Sequence, residues 1–109
     1  YEGVALNAEE KPRLVADLGD NNFLILRNHG LLAVGRSIPD AFLGMYLLES
    51  ACQIQLMAQS SGATLIEVDE RILQGIAAQA EEVTKGLGGQ LAWPGLLRRL
   101  DRRDSSFRD

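Results

Sequence analysis

Short apolar runs alternate along this chain with glycine and polar residues, and the first two runs have the length of β-strands. They occupy residues 23–26 and 31–34. Asn28, His29 and Gly30 lie between them, and Gly30 can take a positive φ that a branched residue would resist. The pattern therefore predicts a β-hairpin whose turn carries the one histidine of the chain.

The polar pattern on either side of the hairpin predicts two helices. Upstream, Asn7 can cap a helix that ends at Gly19. Downstream, residues 37–40 (Ser-Ile-Pro-Asp) have the order of a helix start: a serine cap, a proline in the first turn and an acid three residues after the cap. We expect this second helix to run to about Gln59.

The second helix is apolar around most of its circumference. Between Asp40 and Glu67 the only charged residue is Glu49. One apolar stripe is formed by Leu43, Leu47, Ala51, Ile54 and Ala58, and it is widened by Phe42, Met45, Tyr46, Cys52 and Leu56. Such a helix presents little polar surface to water, so we expect a sheet on one face and other protein, such as a neighbouring subunit, on the rest.

A further helix is predicted from near Asp69 to Lys85 and Gly86. Its apolar side consists of Ile72, Ile76 and Val83. Residues 86–89 (Gly-Leu-Gly-Gly) resemble a phosphate-binding loop, but they lack a preceding strand and the lysine and hydroxyl of a nucleotide site. We interpret them as a helix stop followed by a flexible linker.

The C-terminal segment, residues 91–104, has a helical tendency. Its apolar anchors are Trp93, Leu96, Leu97 and Leu100. Five of the eleven basic residues fall between Arg98 and Arg108, with acidic residues among them. The segment is interpreted as a solvated face or a packing arm, and a basic patch that binds a partner is the alternative.

His29 is the first candidate for chemistry, because neutral imidazole is the commonest protein ligand for a divalent metal. One histidine does not complete a zinc site, which takes three or four protein ligands. The sequence contains no H-x-H, H-E-x-x-H or C-x-x-C pairing. From the residues alone, His29 is either a metal ligand or a hydrogen-bonded turn residue.

Two more side chains on the apolar helix have open roles. Cys52 has no partner for an internal disulfide, and it is interpreted as a small buried hydrophobe in preference to a nucleophile. Glu49 either stabilises a subunit contact, approaches the metal region, or hydrogen-bonds to Gln53 one turn later.

Composition narrows the classes of protein. A chain of 109 residues with 46% hydrophobic content can bury one modest core in no more than one domain. A formal net charge of −4 argues against nucleic acid or an acidic membrane as the main partner. We expect a cytoplasmic protein, because a lone cysteine suits a reducing compartment and no membrane-length apolar run is visible.

Three motifs occurring together resemble the class II aldolase/adducin family. They are residues 24–35 (Leu-Ile-Leu-Arg-Asn-His-Gly-Leu-Leu-Ala-Val-Gly), the Ala41-Phe42 pair, and residues 51–55 (Ala-Cys-Gln-Ile-Gln). The opening segment and the arginine-rich tail are also similar to adducin-like members, so the resemblance covers nearly the whole chain.

The resemblance implies an α/β fold with three layers, α/β/α, in which a predominantly antiparallel sheet is flanked by helices. We expect residues 1–109 to be the C-terminal portion of such a domain, with a helical tail from about residue 90 to 109. In catalytic members the histidine of the N-H-G motif, here His29, is the last of three histidine ligands. The upstream H-x-H pair and the catalytic acid have no counterpart here, so catalytic residues stay unassigned.

For the intact parent protein, the resemblance implies zinc or another divalent metal. The metal polarises the hydroxy-carbonyl of a sugar-phosphate-like substrate and stabilises an enediolate, in lyase or epimerase chemistry. The resemblance also implies a homo-oligomer, most simply a tetramer. The alternative function is a non-catalytic, adducin-like scaffold for oligomerisation and protein binding, and an H-x-H pair upstream would favour the enzyme.

Overall fold

The computed structural model describes residues 10–108 of the chain. In order, the elements are α1 (Glu10–Leu18), β1 (Phe23–Leu26), β2 (Gly30–Ala33), α2 (Ile38–Ser60), α3 (Glu70–Leu73), α4 (Ile76–Thr84) and α5 (Trp93–Asp101). Short 3-10 turns occupy Gly88–Leu91 and Ser106–Arg108. Helices and a small antiparallel sheet therefore make up this part of the protein.

The predicted hairpin is confirmed, with a different residue at its special position. β1 and β2 pair antiparallel from Phe23 opposite Ala33 to Leu26 opposite Gly30. That register leaves residues 27–29 in the turn. Asn28 has φ 55°, whereas Gly30 begins β2 and does not have a positive φ. The expectation for Gly30 is wrong because asparagine, whose short side chain can bond locally, takes the left-handed position itself.

The predicted end of the first helix is confirmed. α1 ends at Leu18, and Gly19 follows with φ 53°. The Gly19 N–H donates to the carbonyl of Val15 at 3.0 Å, which closes the last turn. Asn7, the predicted cap, lies outside the described residues.

The start of α2 also follows the prediction. The Ser37 side chain caps the helix by accepting a hydrogen bond from the backbone N–H of Asp40 at 3.3 Å. Pro39 lies in the first turn, where its missing N–H has no helical partner to lose. The helix ends at Ser60, one residue beyond the expected Gln59.

The helix predicted from near Asp69 to Lys85 is instead two helices. Asp69 does cap the first of them, by accepting from the Arg71 N–H at 2.9 Å. Gly75 lies at the break between α3 and α4. Glycine is the least favourable residue after proline inside a helix, by about 1 kcal/mol relative to alanine, which explains the interruption. α4 ends where expected, with Lys85 at φ 52° and Gly86 at φ 69°.

α2 is the element on which the others pack. β2 lies against one face of it, as expected, and the Gly88–Leu91 turn lies against its first turn. Among residues 10–108 no aliphatic or aromatic side chain is buried, and the two buried residues are Pro39 and Gly89. The modest core expected from composition is therefore not formed by the described residues.

Large apolar side chains are exposed along α2 and α4. Ile54 and Leu56 of α2 are 62% and 66% exposed. The expected burial of the helix predicted from Asp69 to Lys85 is wrong: Ile72 of α3 and Ile76 and Val83 of α4 are exposed. Exposed apolar surface on this scale is typical of contact surfaces for other protein. Of the helices within residues 10–108, none combines the length and apolar character needed to span a bilayer.

Candidate functional site

His29 is the last residue of the hairpin turn, and its side chain is exposed. Its backbone N–H donates to the Leu26 carbonyl at 3.1 Å, and Asn28 before it is held at φ 55°. The antiparallel pairing of β1 and β2 continues from this point. The backbone beneath the imidazole is therefore fixed by the hydrogen bonds of the hairpin, while the ring lies at the surface.

The described residues do not assemble a complete metal site. Within residues 10–108, no group of three or more histidine, cysteine, aspartate or glutamate side chains is arranged to hold a metal ion. A protein zinc site takes three or four ligands, or three plus water. His29 thus offers one imidazole at a defined position and needs further ligands from elsewhere.

Glu49 makes the local hydrogen bond that was one of its predicted roles. The Gln53 side-chain amide donates to Glu49 Oε1 at 3.2 Å, one turn along the exposed side of α2. Cys52 lies beside this pair in sequence, is half-buried and has no disulfide partner. These contacts stabilise the helix locally and bring neither side chain into a group of metal ligands within the described residues.

Asp40 connects the start of α2 to the turn at residues 88–91, and we name this contact the Asp40 junction. The Ser37 hydroxyl donates to Asp40 Oδ2 at 2.7 Å, and the Gly89 N–H donates to Asp40 Oδ1 at 2.9 Å. The Gln90 side chain donates to Ser37 Oγ at 3.2 Å. The pKa of Asp40 is lowered by the Ser37 bond first, then by the Gly89 N–H and the charge of Arg36.

The two glycines of the junction allow the backbones to touch. A Cβ on Gly89 would overlap the carbonyl of Pro39, and it would lie 2.7 Å from the backbone nitrogen of Asp40. Gly88 has φ 49°, and a Cβ there would lie 2.6 Å from Asp40 Oδ1. The helix stop predicted for residues 86–89 is confirmed. The flexible linker is wrong, because the second half of this segment is a turn packed against α2.

Sequence reasoning missed the Asp40 junction, although its two halves were visible. The acid at position 40 was identified as part of a helix cap, and adjacent glycines such as Gly88 and Gly89 are a recognised signal of close backbone approach. The two features are 49 residues apart, so no local pattern joins them.

An open cleft of about 380 Å³ lies beside the Asp40 junction. Its polar lining includes Arg36, Asp40 and Glu81, and its apolar lining includes Phe23 and Val34. Arg36 and Glu81 approach each other at 4.0 Å, and both are largely exposed, so this pair contributes little stability. His29 does not line the cleft. The cleft and the histidine are therefore separate features.

The C-terminal helix packs as predicted through most of its anchors. Trp93, Leu96 and Leu97 are half-buried, whereas Leu100 is exposed. The rings of Phe42 and Trp93 meet edge to face, with centroids 5.6 Å apart. Arg108 folds back to donate two hydrogen bonds to Asp101, at 2.6 and 2.7 Å. These contacts are those expected of a packing arm.

Comparisons with known proteins agree with the hairpin and helix just described. A family model, Class II Aldolase and Adducin N-terminal domain, matches residues 2–56, which include His29 and most of α2. The crystal structure of an aldolase II superfamily protein from Pseudomonas syringae superposes with a TM-score of 0.82 at 43% identity. That likeness covers 100% of this chain and 44% of the other.

The curated relatives include proteins named as class 2 aldolases and proteins named as adducins. A protein of Pseudomonas aeruginosa that is assigned by name to aldolase class 2 is 57% identical over 99% of this chain and 43% of its own length. Alpha-adducin of Rattus norvegicus is 42% identical over 56% of this chain and 8% of its own length. The chain thus spans less than half of each of these relatives. The matched family model, the shared fold and the relatives together establish that this chain belongs to the class II aldolase and adducin family.

Proposed function

We propose that this chain is the C-terminal portion of a metal-dependent, aldolase-type domain, and that His29 is one of its metal ligands. The observation that carries the proposal is an exposed imidazole on a hydrogen-bonded hairpin tip, inside the region matched by the family model. The name of the Pseudomonas aeruginosa relative supports the same class of chemistry.

His29 is a suitable ligand for zinc or another divalent metal, and it supplies one of the three or four ligands that such a site needs. Imidazole suits zinc and its neighbours in the first transition row, and His29 contributes one such donor. The remaining ligands and the catalytic acid belong to residues outside the described range. When bound, the metal supplies Lewis-acid polarisation of the carbonyl and hydroxyl oxygens of a sugar-phosphate-like substrate, as lyase or epimerase chemistry requires.

The hairpin fixes the backbone position of His29. The His29 N–H is held by the Leu26 carbonyl, and the strand pair begins again at Gly30. A ligand on a short, paired turn loses little freedom when it binds a metal, which favours a preformed site. In the proposed mechanism this chain holds and orients one ligand, and the substrate is bound mostly by other parts of the parent.

The proposed domain is the three-layer α/β/α fold, of which residues 1–109 form a part with a helical tail from about residue 90. A two-stranded sheet is marginal by itself, so we place β1 and β2 within a larger, predominantly antiparallel sheet of the parent. The exposed apolar surface of α2 supports a homo-oligomer, which we propose to be a tetramer located in the cytoplasm.

An adducin-like scaffold without catalysis is the second candidate. It is favoured by the 42% identity to alpha-adducin over 62 residues and by the apolar side chains that α2 exposes for contact with protein. Retention of one ligand does not by itself establish turnover.

The test is the metal content per chain of the intact parent, purified without added metal and without a metal-binding tag. We expect near-stoichiometric divalent metal in the wild type and strongly reduced occupancy in His29→Ala. The folded state should persist in this variant, because the backbone bond of His29 does not use the side chain. Arg27→Ala, on the same turn, is the matched control and should keep its metal.

Each outcome selects between the two candidates. Equal occupancy in the wild type and His29→Ala would contradict the ligand assignment. A wild type that is metal-free, and stays so after incubation with zinc, would favour the scaffold. Near-UV circular dichroism of each variant shows whether a loss of metal comes from a loss of fold.

A further inference from the structure

An apolar groove of about 280 Å³ runs along α5, and we name it the α5 groove. Its apolar lining consists of Phe42, Trp93, Leu96, Leu97 and Leu100. Phe42 and Leu100 are 48% and 41% exposed, and the Phe42–Trp93 ring contact fixes one wall. The groove is thus a formed surface with apolar atoms open to contact.

Two arginines, Arg99 and Arg103, also line the α5 groove. Within the part of the chain that the structure describes, neither forms an ion pair or a hydrogen bond through its side chain. The acids nearest in sequence are engaged elsewhere: Asp101, two residues from Arg99, pairs with Arg108, and Asp104, next to Arg103, accepts a hydrogen bond from the Ser106 N–H. The rim of the groove therefore carries positive charge that an occupant can neutralise.

A second exposed segment has the complementary composition. Residues 65–70, named here the acidic segment, read Leu-Ile-Glu-Val-Asp-Glu; they form the end of the α2–α3 connection and the first residue of α3. Ile66 is 95% exposed and Val68 is 56% exposed. Asp69 is paired with Arg71, whereas Glu67 and Glu70 are exposed and form no ion pair within residues 10–108. Apolar side chains next to available carboxylates are what the α5 groove would recognise.

We propose that the α5 groove of one copy of the protein binds the acidic segment of a second copy. Ile66 and Val68 supply the apolar contact, and Glu67 and Glu70 face Arg99 and Arg103. This contact rests on the homo-oligomer proposed above and names the surfaces that form it. Charge complementarity between two exposed surfaces of one sequence is what points to a second copy, and it also fixes the register of the contact.

The experiment reverses the charge on each side in the intact parent and measures mass by light scattering over a range of concentrations. One variant carries Arg99→Glu and Arg103→Glu, and the other carries Glu67→Lys and Glu70→Lys. Each variant places like charges across the contact, so we expect each to raise the dissociation constant by about 100-fold. An equimolar mixture of the two should reassemble, since every contact between unlike subunits again joins opposite charges.

The matched control carries Arg98→Glu in α5 and Arg102→Glu directly after it, which make the same change of charge but do not line the groove. It should keep the wild-type mass. Rescue by mixing also shows that both variants are folded, because unfolded chains would not reassemble.

Three results would overturn the contact. If the wild type is oligomeric and both variants keep its mass, the oligomer stands and the assigned surfaces are wrong. If the control dissociates as much as the groove variant, the effect is one of net charge. A wild type that is monomeric throughout removes both the oligomer and the contact, and leaves the metal proposal to its own test.

Discussion

The tip of the hairpin and the Asp40 junction use hydrogen bonds over very different distances in the sequence. At the tip, the bond from His29 to Leu26 stays within a single turn and leaves the imidazole exposed. At the junction, Asp40 binds Gly89, 49 residues away, and Pro39 is buried in the contact. The candidate for chemistry thus lies on a locally built and open element, whereas the contact that organises the chain is long-range and closed.

The largest expected effect comes from Gly89→Ala, which disrupts the Asp40 junction. A Cβ at residue 89 would overlap the Pro39 carbonyl, so the turn would have to move off the start of α2. We expect the free energy of unfolding of the intact protein to fall by about 2 to 3 kcal/mol, the usual cost of overpacking. Urea denaturation followed by circular dichroism measures it.

Gly95→Ala is the control for that substitution. Gly95 lies in α5, where an added Cβ meets only the far end of Arg98 at 3.8 Å. Alanine is the better helix former, so this variant should be as stable as the wild type or more stable by up to about 1 kcal/mol. Equal losses in the two variants would show that Gly89 is not a special contact.

A smaller effect is expected from Asp40→Asn, and it should depend on pH. The lowered pKa of Asp40 means that the folded state favours the ionised carboxylate. This contribution is fully present above the ordinary pKa of 3.8 and is lost as the pH falls through the lower folded value. The wild type should therefore exceed Asp40→Asn in stability near neutral pH, and the difference should shrink below about pH 4.

The measurement compares the two melting temperatures from about pH 7 to pH 3. Asp69, Asp101 and Asp104 also have lowered pKa values, but they are present in both proteins and cancel in the difference. Asp20→Asn, in the turn after α1, controls for the loss of one negative charge. A difference that stays constant with pH would contradict the role given to the Asp40 carboxylate.

The smallest effect on stability is expected at the exposed tip of the hairpin. Asn28 has φ 55°, a conformation that costs an alanine about 1 kcal/mol, so Asn28→Ala should lower stability by that amount. Asn28→Gly relieves the strain and is the matched control. If the tip directs His29 towards a metal, Asn28→Ala should also weaken metal binding in the intact parent, while Asn28→Gly, which takes the same backbone conformation without strain, should keep it. If both Asn28 variants keep the metal affinity of the wild type, the conformation of the turn does not affect metal binding.

The sequence predicted the local elements well because their signals lie within a few residues. The hairpin follows from two apolar runs around Asn28 and Gly30, and the start of α2 follows from the serine cap and Pro39. The break at Gly75 was missed because one glycine is compatible with a continuous helix when apolar spacing continues on both sides. The family resemblance, which rested on the motif around His29, is confirmed.

The hydrophobic and polar pattern of the sequence could not predict the long-range contacts of the fold. Burial of the apolar stripe was expected on α2 and α4, but side chains such as Ile54 and Val83 are exposed, since periodicity predicts a face and does not identify what covers it. The Asp40 junction needed two distant signals to be combined. Within residues 10–108 no group of potential metal ligands forms, so His29 stays a predicted ligand.

The 49-residue span between Asp40 and Gly89 also sets an order of events during synthesis. A ribosome adds about 5 to 20 residues per second, so α2 emerges several seconds before the turn that completes its first hydrogen bonds. During that interval Asp40 lacks its Gly89 donor, and the first turn of α2 lacks the turn that packs against it. We therefore expect a chaperone or a neighbouring nascent chain to reach the start of α2 most easily before residues 88–91 are synthesised.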